Sequence, residues 1–259
     1  MKRTHWLNWM IITLLAACLL VSGTVLAEGA APEQDAKPAP YRTVGSIVTF
    51  GHYEQDNNPE NGPEEIEWIV LDVDGNKALL LSRFGLDVVQ YNRKYVAVTW
   101  ESCTLRSWMN DTFLNTAFSD SEQSAILVTD VDNSPEQGHA KFQVRNSGNN
   151  TQDRIFALSW AEANRYLDVT YENGNNMKAR VAPTAYAIAR GAWHKREWTT
   201  EEGLETARWW LRSPGRHPNR ASYVHNAGTV RDNQVTAGSS YFGFPVARPA
   251  LWLNLEADF

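Results

Sequence analysis

The sequence is poor in cysteine, and this scarcity excludes several kinds of site. Its 259 residues include two cysteines, Cys18 and Cys103, and Cys18 falls in an apolar N-terminal segment. If that segment is removed, Cys103 remains alone, so neither an intramolecular disulfide nor a two-cysteine metal or redox motif can form. The fold must then be stabilised by a hydrophobic core, which a chain of this length can supply.

The residue patterns of common enzyme and metal sites are missing as well. None of the six histidines pairs with another at zinc-ligand spacing, and the sequence contains no HExxH, no Gly-x-Ser-x-Gly and no phosphate-binding loop. The stretch "DNNPENGPEEIE" faintly resembles a calcium loop through Asp56, Asn58, Glu60 and Glu67. Its glycine is one place late and a proline interrupts it, so we predict a turn there, with no metal and no cofactor.

Basic residues are fewer than acidic ones. The chain has 24 Lys and Arg against 30 Asp and Glu, and removing residues 1–27 takes away two bases and no acid, which leaves a net charge of −8. Such an excess argues against a nucleic acid or an anionic membrane surface as the general partner.

The N-terminal segment has the order of a secretory signal peptide. A basic start precedes the apolar run Trp9–Leu20, and small residues surround a cleavage point after Ala27. The run is interrupted and short for a membrane span, which needs about 20 residues. Leu15–Cys18 also matches a lipobox, so attachment through a lipid on Cys18 stays open beside the soluble secreted form.

The rest of the chain divides into a short tether and one domain. Residues 28–41 are small, charged and proline-rich, which is typical of a flexible linker. We therefore predict a signal peptide over 1–27, a linker over 28–41 and a single domain over 42–259.

Periodicity within the domain indicates short helices between antiparallel strands, an α+β fold. "SIVTFGHY" alternates as a strand does, and "EIEWIVLDVDGNKALLLS" predicts a hairpin at Asp74-Gly75. A helix should follow Ser102 or Thr104. Three further helix starts are predicted at positions that can cap a first turn: Ser119 with Glu122, Ser159 with Glu162, and Thr184 after Pro183.

Tryptophan is abundant, and two tryptophans are adjacent. Nine of the 11 lie beyond residue 27, and "WWLRSPG" contains Trp209 and Trp210. On a strand, neighbouring side chains face opposite sides, so one ring can fill the core while the other covers a second layer. Arg212 shares the face of Trp210, and a proline and a glycine then end the strand.

Several segments resemble, in their order along the chain, a bacterial domain-of-unknown-function family found in secreted and cell-envelope proteins. They include "GHYEQDNNPENGPEEIEWIVLDV", "TWESCTLRSWMNDTFLNTAFSDSEQ", "IFALSWAEA", "PTAYAIARGA", "WWLRSPG" and "VARPALWLNL", and they span most of residues 45–255. The ending is also similar to C-type-lectin-like domains of the formylglycine-generating and tropism-determinant type. That resemblance implies paired N- and C-terminal strands, with ligand contacts on loops near the tryptophan strand.

The chain departs from the active members of that wider group. The sugar-binding tripeptides of calcium-dependent lectins, Glu-Pro-Asn, Gln-Pro-Asp and Trp-Asn-Asp, do not occur, and the cysteine pair of formylglycine-generating enzymes is missing. Neither activity therefore carries over.

Two sets of residues follow from these patterns. A structural set should hold the domain together, with "WWLRS" and "ARPALWLNL" as neighbouring antiparallel strands: Trp209, Trp210, Arg212, Arg248 and Trp252. A ligand-binding set should lie on the exposed basic stretch Arg216–His225 and on nearby aromatic residues. Its members are Arg216, Asn219, Arg220, Tyr223, His225, Trp193, Trp198 and Tyr241.

Three functions are compatible with the sequence. The first is a secreted or surface-attached, non-catalytic binding domain whose ligand is a glycan, a cell-wall fragment or another protein. The second is an envelope-acting enzyme in which Cys103, with Asp111 or a distant histidine, supplies the chemistry, although a small buried thiol is the simpler interpretation of Cys103. The third is a structural module of an envelope assembly.

Overall fold

An antiparallel sheet of five strands organises the N-terminal half of the fold. The computed structural model describes residues 39–142, 146–171, 174–235 and 243–259, and all of them belong to one unit. Residues 1–38, and with them the predicted signal, Cys18 and most of the linker, lie outside the described residues, as does Tyr241. The sheet has the order β1-β2-β3-β13-β6. Its strands are β1 (Ile47–Tyr53), β2 (Glu64–Asp74), β3 (Lys77–Ser82), β6 (Ile155–Phe156) and β13 (Ala250–Asn254).

The hairpin prediction is confirmed. β2 and β3 pair from Asp74↔Lys77 outward with one register shift between Val70 and Asp72, and Gly75 takes a positive φ of 57° at the turn. Alternate residues of β2 point into the core, where Ile66, Trp68 and Val70 have no exposed surface.

A second sheet contains the tryptophan strand. It has the order β10-β11-β12-β7, antiparallel except for the last pair. Two smaller ribbons accompany it. The strands are β7 (Thr170–Tyr171), β10 (Trp209–Pro214), β11 (Arg220–Val224) and β12 (Thr229–Val235), with β4 (Thr129–Val131) paired to β5 (Thr151–Asp153) and β8 (His194–Thr199) paired to β9 (Glu205–Ala207).

Short helices fill the space between the strands, as predicted for an α+β fold. The helix expected after residue 102 runs through a π-helical turn at Met109–Phe113 and buries Leu105, Met109 and Phe113. Its cap is Cys103, whose sulfur accepts from the Arg106 N–H at 3.4 Å, rather than Ser102 or Thr104. The α-helices are α1 (Thr104–Trp108), α2 (Leu114–Ala117), α3 (Asp120–Ala125), α4 (Trp160–Leu167) and α5 (Ala185–Ala189).

The predicted capping residues are confirmed for the other helices. Ser119 with Glu122 and Ser159 with Glu162 form complete capping boxes, and the Thr184 hydroxyl caps α5. Single turns of 3-10 helix complete the described part of the chain: Ala39–Arg42, Trp100–Ser102, Pro135–Gln137, Ala140–Phe142 and Met177–Ala179.

The expected pairing of the tryptophan strand with the last strand is wrong. β10 and β13 belong to different sheets, and β13 has β3 on one edge and β6 on the other, so neither edge is left for β10. β10 instead contacts Val246, which precedes β13 in the chain. Val246 forms a parallel β-bridge with Trp209, and its carbonyl accepts from the Trp210 N–H at 3.1 Å.

The first and last strands are not paired with each other either. β1 is an edge strand whose partner is β2, and the β2–β3 hairpin separates it from β13. Trp252 lies opposite Leu79 in this sheet and carries the Lys77 ammonium over its ring at 4.9 Å. The strand adjacencies that the lectin-like resemblance implied are therefore replaced by others.

The two adjacent tryptophans nevertheless fill the core from both faces of β10. Both side chains are fully buried. The Trp209 indole N–H donates to the Ala179 carbonyl at 3.0 Å, and that of Trp210 donates to the Val89 carbonyl at 2.9 Å. Each ring thus joins a separate loop to the strand.

Trp209→Ala should lower the free energy of unfolding by about 3–5 kcal/mol, because it opens a cavity and leaves a carbonyl unpaired. Trp252→Ala is the matched control, since its ring is partly exposed, and it should cost clearly less. Urea unfolding followed by circular dichroism measures both. Equal losses would contradict a special role for the buried pair.

Candidate functional site

A cleft lies beside the turn that joins β10 to β11. Its volume is about 960 Å³. Three chain regions that are distant in sequence supply its walls, and the turn itself contributes Arg216 and His217. The described lining residues are Ala97, Val98, Thr99, Ser102, Lys141, Phe142, Asn146, Tyr171 and the run Pro214–Pro218.

The turn is held in shape by close backbone packing. Gly215 donates to the Arg220 carbonyl at 2.9 Å, and the Arg220 N–H donates to the His217 carbonyl at 2.9 Å. A Cβ on Gly215 would lie 2.2 Å from the Asp232 carbonyl oxygen, so no larger residue fits there. A glycine is required because the turn lies directly against β12.

Arg216 is fixed at the cleft by an ion pair. Its Nε and Nη2 donate to the two carboxylate oxygens of Asp232 at 2.5 and 2.9 Å. The Asp232 side chain is 4% exposed whereas that of Arg216 is 50% exposed. A bidentate pair of this kind orients the guanidinium and leaves part of its edge open to solvent.

The described wall of the cleft combines cations with aromatic rings. Lys141 and Arg216 carry positive charge there, and no Asp or Glu is among the described lining residues, although the whole chain is acidic. The Lys141 ammonium lies 4.9 Å from the ring centroid of half-buried Tyr171, which meets Phe142 edge-on at 5.4 Å. Such a surface can donate hydrogen bonds to hydroxyl and anionic groups. The Tyr171 ring itself is covered by the Lys141 ammonium and by the His139 ring, whose centroid lies 4.9 Å away.

Of the predicted ligand residues, Arg216 lines this cleft. Asn219 and Arg220 are partly buried next to it, and the Arg220 Nη1 donates to the Asn233 carbonyl at 2.9 Å. The stretch Arg216–His225 is not one exposed loop, because Arg220–Val224 forms strand β11. Tyr223 is 5% exposed and lies under Arg208, so its ring offers no free face for stacking.

The other predicted ligand residues lie elsewhere. Half-buried His225 occupies the turn between β11 and β12, where its Nδ1 accepts from the Ala227 N–H at 3.2 Å. Trp193 lies beneath Arg208, with 4.5 Å from ring centroid to guanidinium, and Trp198 lies beneath Arg180 at 4.9 Å. The structure therefore does not bring the predicted ligand set together.

No pattern in the sequence singles out Lys141 or Tyr171. Lys141 lies in a polar, turn-rich segment, and Tyr171 ends a strand of two residues. Their proximity to Arg216 depends on the parallel pairing of β7 with β12, a long-range contact.

The two arginines predicted to be structural are both buried, at 1% exposure, but their contacts differ. Arg212 forms a bidentate ion pair with Glu162 and also donates to the carbonyls of Ala157 at 3.0 Å and Asp132 at 2.9 Å. Arg248 donates through Nε to the Ser82 carbonyl at 2.9 Å and lies over Trp209.

Cys103 lies in the core as a fully buried side chain. Burial raises the pKa of its thiol to about 12, although nearby backbone N–H groups partly oppose the shift. A thiol with so high a pKa holds almost no thiolate near neutral pH, and thiolate is the reactive form.

Three carboxylates come together near the predicted turn at residues 54–64. Ligand atoms of Glu54, Asp56 and Glu64 lie within 4.8 Å of one another. Their oxygens already accept hydrogen bonds, including 2.7 Å from the Gln55 N–H to Glu64 and 2.7 Å from the Asn58 N–H to Asp56. The carboxylates therefore serve as acceptors that shape this turn.

None of the helices in the described part of the chain combines the length and the apolar character needed to cross a bilayer.

Cys103 should resist alkylation in the folded protein. In a Cys18→Ser background, iodoacetamide at mildly alkaline pH should leave Cys103 unmodified until guanidinium unfolds the chain, because the thiol is buried and protonated. Mass spectrometry after timed quenching measures the modification. Rapid labelling of the native protein would restore the enzyme hypothesis based on this residue.

His225 should make the domain less stable in mild acid. Burial lowers its pKa to about 4, and repulsion from Arg208 and Arg231 adds to the effect. The unfolded chain takes up this proton below about pH 6.5 and the folded chain only near pH 4, so the free energy of unfolding falls as pH drops through that window. After allowance for solvent screening the loss is about 2 kcal/mol.

Urea unfolding at a series of pH values measures this dependence. His225→Asn keeps an acceptor for the Ala227 N–H and should remove this part of the pH dependence. Exposed His52→Asn is the control and should leave it intact. An unchanged pH profile in His225→Asn would show that other groups cause the acid sensitivity.

Comparison with known proteins identifies the family but not an activity. No curated protein and no solved structure is detectably similar to the chain. A family model described as a domain of unknown function, DUF6273, matches residues 75–255, which is more than half of the 259 residues. The match includes the cleft, Arg212, Arg248 and the tryptophan strand. The chain therefore belongs to the DUF6273 family.

Proposed function

We propose that this protein is a non-catalytic binding domain for an acidic glycan, and that the cleft beside the β10–β11 turn is its binding site. The observation that carries the proposal is the cleft wall, where Arg216 and Lys141 stand beside the Tyr171 ring. The carboxylate and hydroxyl groups of an acidic sugar can accept hydrogen bonds from the two cations, and the Tyr171 ring lies against the Lys141 ammonium and positions it.

The charge of the cleft favours an acidic ligand over a neutral one. A negatively charged protein repels polyanions in general, so a local group of cations is needed to attract them. The Asp232 carboxylate offsets part of the charge of Arg216 but also holds its guanidinium in place. Binding through such groups should weaken as the salt concentration rises.

The proposal includes an extracytoplasmic location. It is supported by the signal-like order of residues 1–27 and by the resemblance of the domain to a family found in secreted and cell-envelope proteins. A cell-wall polysaccharide would then be within reach of either the soluble or the lipid-anchored form.

A C-type-lectin-like relationship would also favour ligand binding on loops near β10, but the strand pairing that the resemblance implied is missing from the described sheets.

Two other functions, an envelope-acting enzyme and a structural module, have weaker support than glycan binding. An envelope-acting enzyme with Cys103 as its nucleophile is disfavoured because the thiol is buried and has a high pKa. A structural module would bind proteins and no glycan.

Binding to purified cell-wall sacculi and to arrays of acidic and neutral oligosaccharides tests the proposal. The protein should bind acidic sugars, and Lys141→Ala and Tyr171→Ala should each weaken that binding about tenfold or more, because the first removes a direct contact and the second removes the ring that positions the Lys141 ammonium. Arg196→Ala is the matched control, since this arginine is exposed and lies outside the cleft.

Variant stability must be checked by thermal unfolding, because Arg216→Ala would leave Asp232 buried without its partner. Lys141→Ala removes an exposed cation and should retain wild-type stability. Absence of binding to every glycan, or equal binding by all variants, would overturn the proposal. Recovery of protein partners together with empty arrays would favour the structural module.

A further inference from the structure

A second pocket is lined by two buried arginines that form no ion pair with a carboxylate in the described part of the chain. It has a volume of about 360 Å³, and Arg180 and Arg248 are among its lining residues. The two side chains are 7% and 1% exposed. Neither forms an ion pair with any residue in the described ranges, whereas buried arginines are ordinarily paired.

Both guanidinium groups have unused hydrogen-bonding capacity. Arg248 Nε donates to the Ser82 carbonyl at 2.9 Å, while its buried Nη1 has no partner among the described residues. Arg180 donates to the Thr199 carbonyl at 2.5 Å and to the Asn175 side chain, and its buried Nε is unpartnered within the same residues. An unpaired buried donor is costly unless something occupies it.

The burial of these charges is reflected in their pKa values. Desolvation lowers the pKa of Arg248 to about 9 and also lowers that of Arg180. The Trp209 ring centroid lies 4.9 Å from the guanidinium carbon of Arg248, and the Trp198 ring centroid lies 4.9 Å from that of Arg180. The negative face of each ring partly replaces an anionic partner.

The other charged residues of the pocket are already paired or stand at its rim. Arg83 forms ion pairs with Glu67 and Glu202, and Lys178 pairs with Asp168. Glu201 is exposed. The positive charge available to a ligand therefore comes from the two buried arginines.

The outer part of the pocket is apolar. Val44 is 61% exposed, Ile47 47%, and Met177 and Leu204 43% each, and all four line it. Phe84 and Leu204 also line an adjoining pocket of about 480 Å³, in which Ile188 is 41% exposed. On a soluble protein, a contiguous group of exposed large apolar side chains marks a site that binds a ligand or a partner.

We propose that this pocket binds an amphiphilic carboxylate, with the carboxylate on Arg248 and Arg180 and an alkyl chain along the apolar groove. The planar guanidinium matches a carboxylate in geometry. The exposed apolar side chains form a surface along which the alkyl chain of the ligand can lie. This ligand is independent of the proposed glycan, since the two pockets have no lining residue in common.

Calorimetric titration of the full chain with decanoate, butanoate and decanol tests the proposal. Decanoate should bind, and each buried methylene should tighten binding about fourfold, so that butanoate binds far more weakly. Decanol keeps the chain and lacks the charge, and its affinity should be at least about tenfold lower. Decanol binding as tightly as decanoate would overturn the assignment to the arginines.

Variants locate the site. Arg248→Met and Arg180→Met should each reduce decanoate affinity about tenfold or more. Arg208→Met is the matched control: Arg208 is also partly buried, stacked on an aromatic ring and without a carboxylate partner in the described chain, but it does not line this pocket. A loss in Arg208→Met equal to that in the other two would overturn the site.

A second pair of variants covers the case in which Arg248→Met does not fold. Leu204→Asp should abolish decanoate binding, whereas Val128→Asp, which changes an exposed valine outside the pocket, should not. Decyl phosphate and an apolar peptide with a free C-terminal carboxylate distinguish the ligand source. Tighter binding of either one than of decanoate, or unchanged decanoate binding in all variants, would overturn the proposal.

Discussion

The buried ion pair of Arg212 with Glu162 is the interaction on which most of the remaining structure depends. Glu162 also accepts from the Ser159 N–H at 2.9 Å and so completes the capping box of α4. Arg212 lies on β10 and ties this helix start to the strand that contains the two adjacent tryptophans. The Arg212 side chain is 1% exposed, so removing Glu162 would leave its charge unpaired in the core, which costs far more than the loss of a surface pair.

The same interaction orients the loop that leads to the cleft beside the β10–β11 turn. Arg212 donates to the Asp132 carbonyl at 2.9 Å, and Ser213 beside it donates to the Gln137 carbonyl at 2.8 Å. The Ser159 hydroxyl donates to the Gln137 side chain at 2.7 Å. These bonds fix the polar segment that continues to Lys141, so a pair in the core determines where a cation of the cleft stands.

Arg248 is a buried arginine that has no such carboxylate partner among the described residues. It is as deeply buried as Arg212, yet one carbonyl and one aromatic ring are its described contacts. The charge of Arg212 is paired within the fold, and its burial is offset by hydrogen bonds to two separate segments, residues 157–162 and Asp132. In Arg248 the charge is not matched within the described chain, and this difference is the reason to connect it with a ligand.

The sequence by itself determined the local structure: the hairpin at residues 64–82, two capping boxes, the helix after residue 103 and the burial of the two adjacent tryptophans. These features depend on periodicity and on side chains a few positions apart, which act in any tertiary context. The tertiary structure alone decided which strands are neighbours. β13 pairs with β3 along one edge and with β6 along the other, and "WWLRS" pairs with β11 instead. It also decided which residues form the candidate sites. Arg216, Lys141 and Tyr171 line one cleft, and Arg180 and Arg248 line one pocket, because the fold brings together distant segments whose spacing leaves no pattern in the sequence.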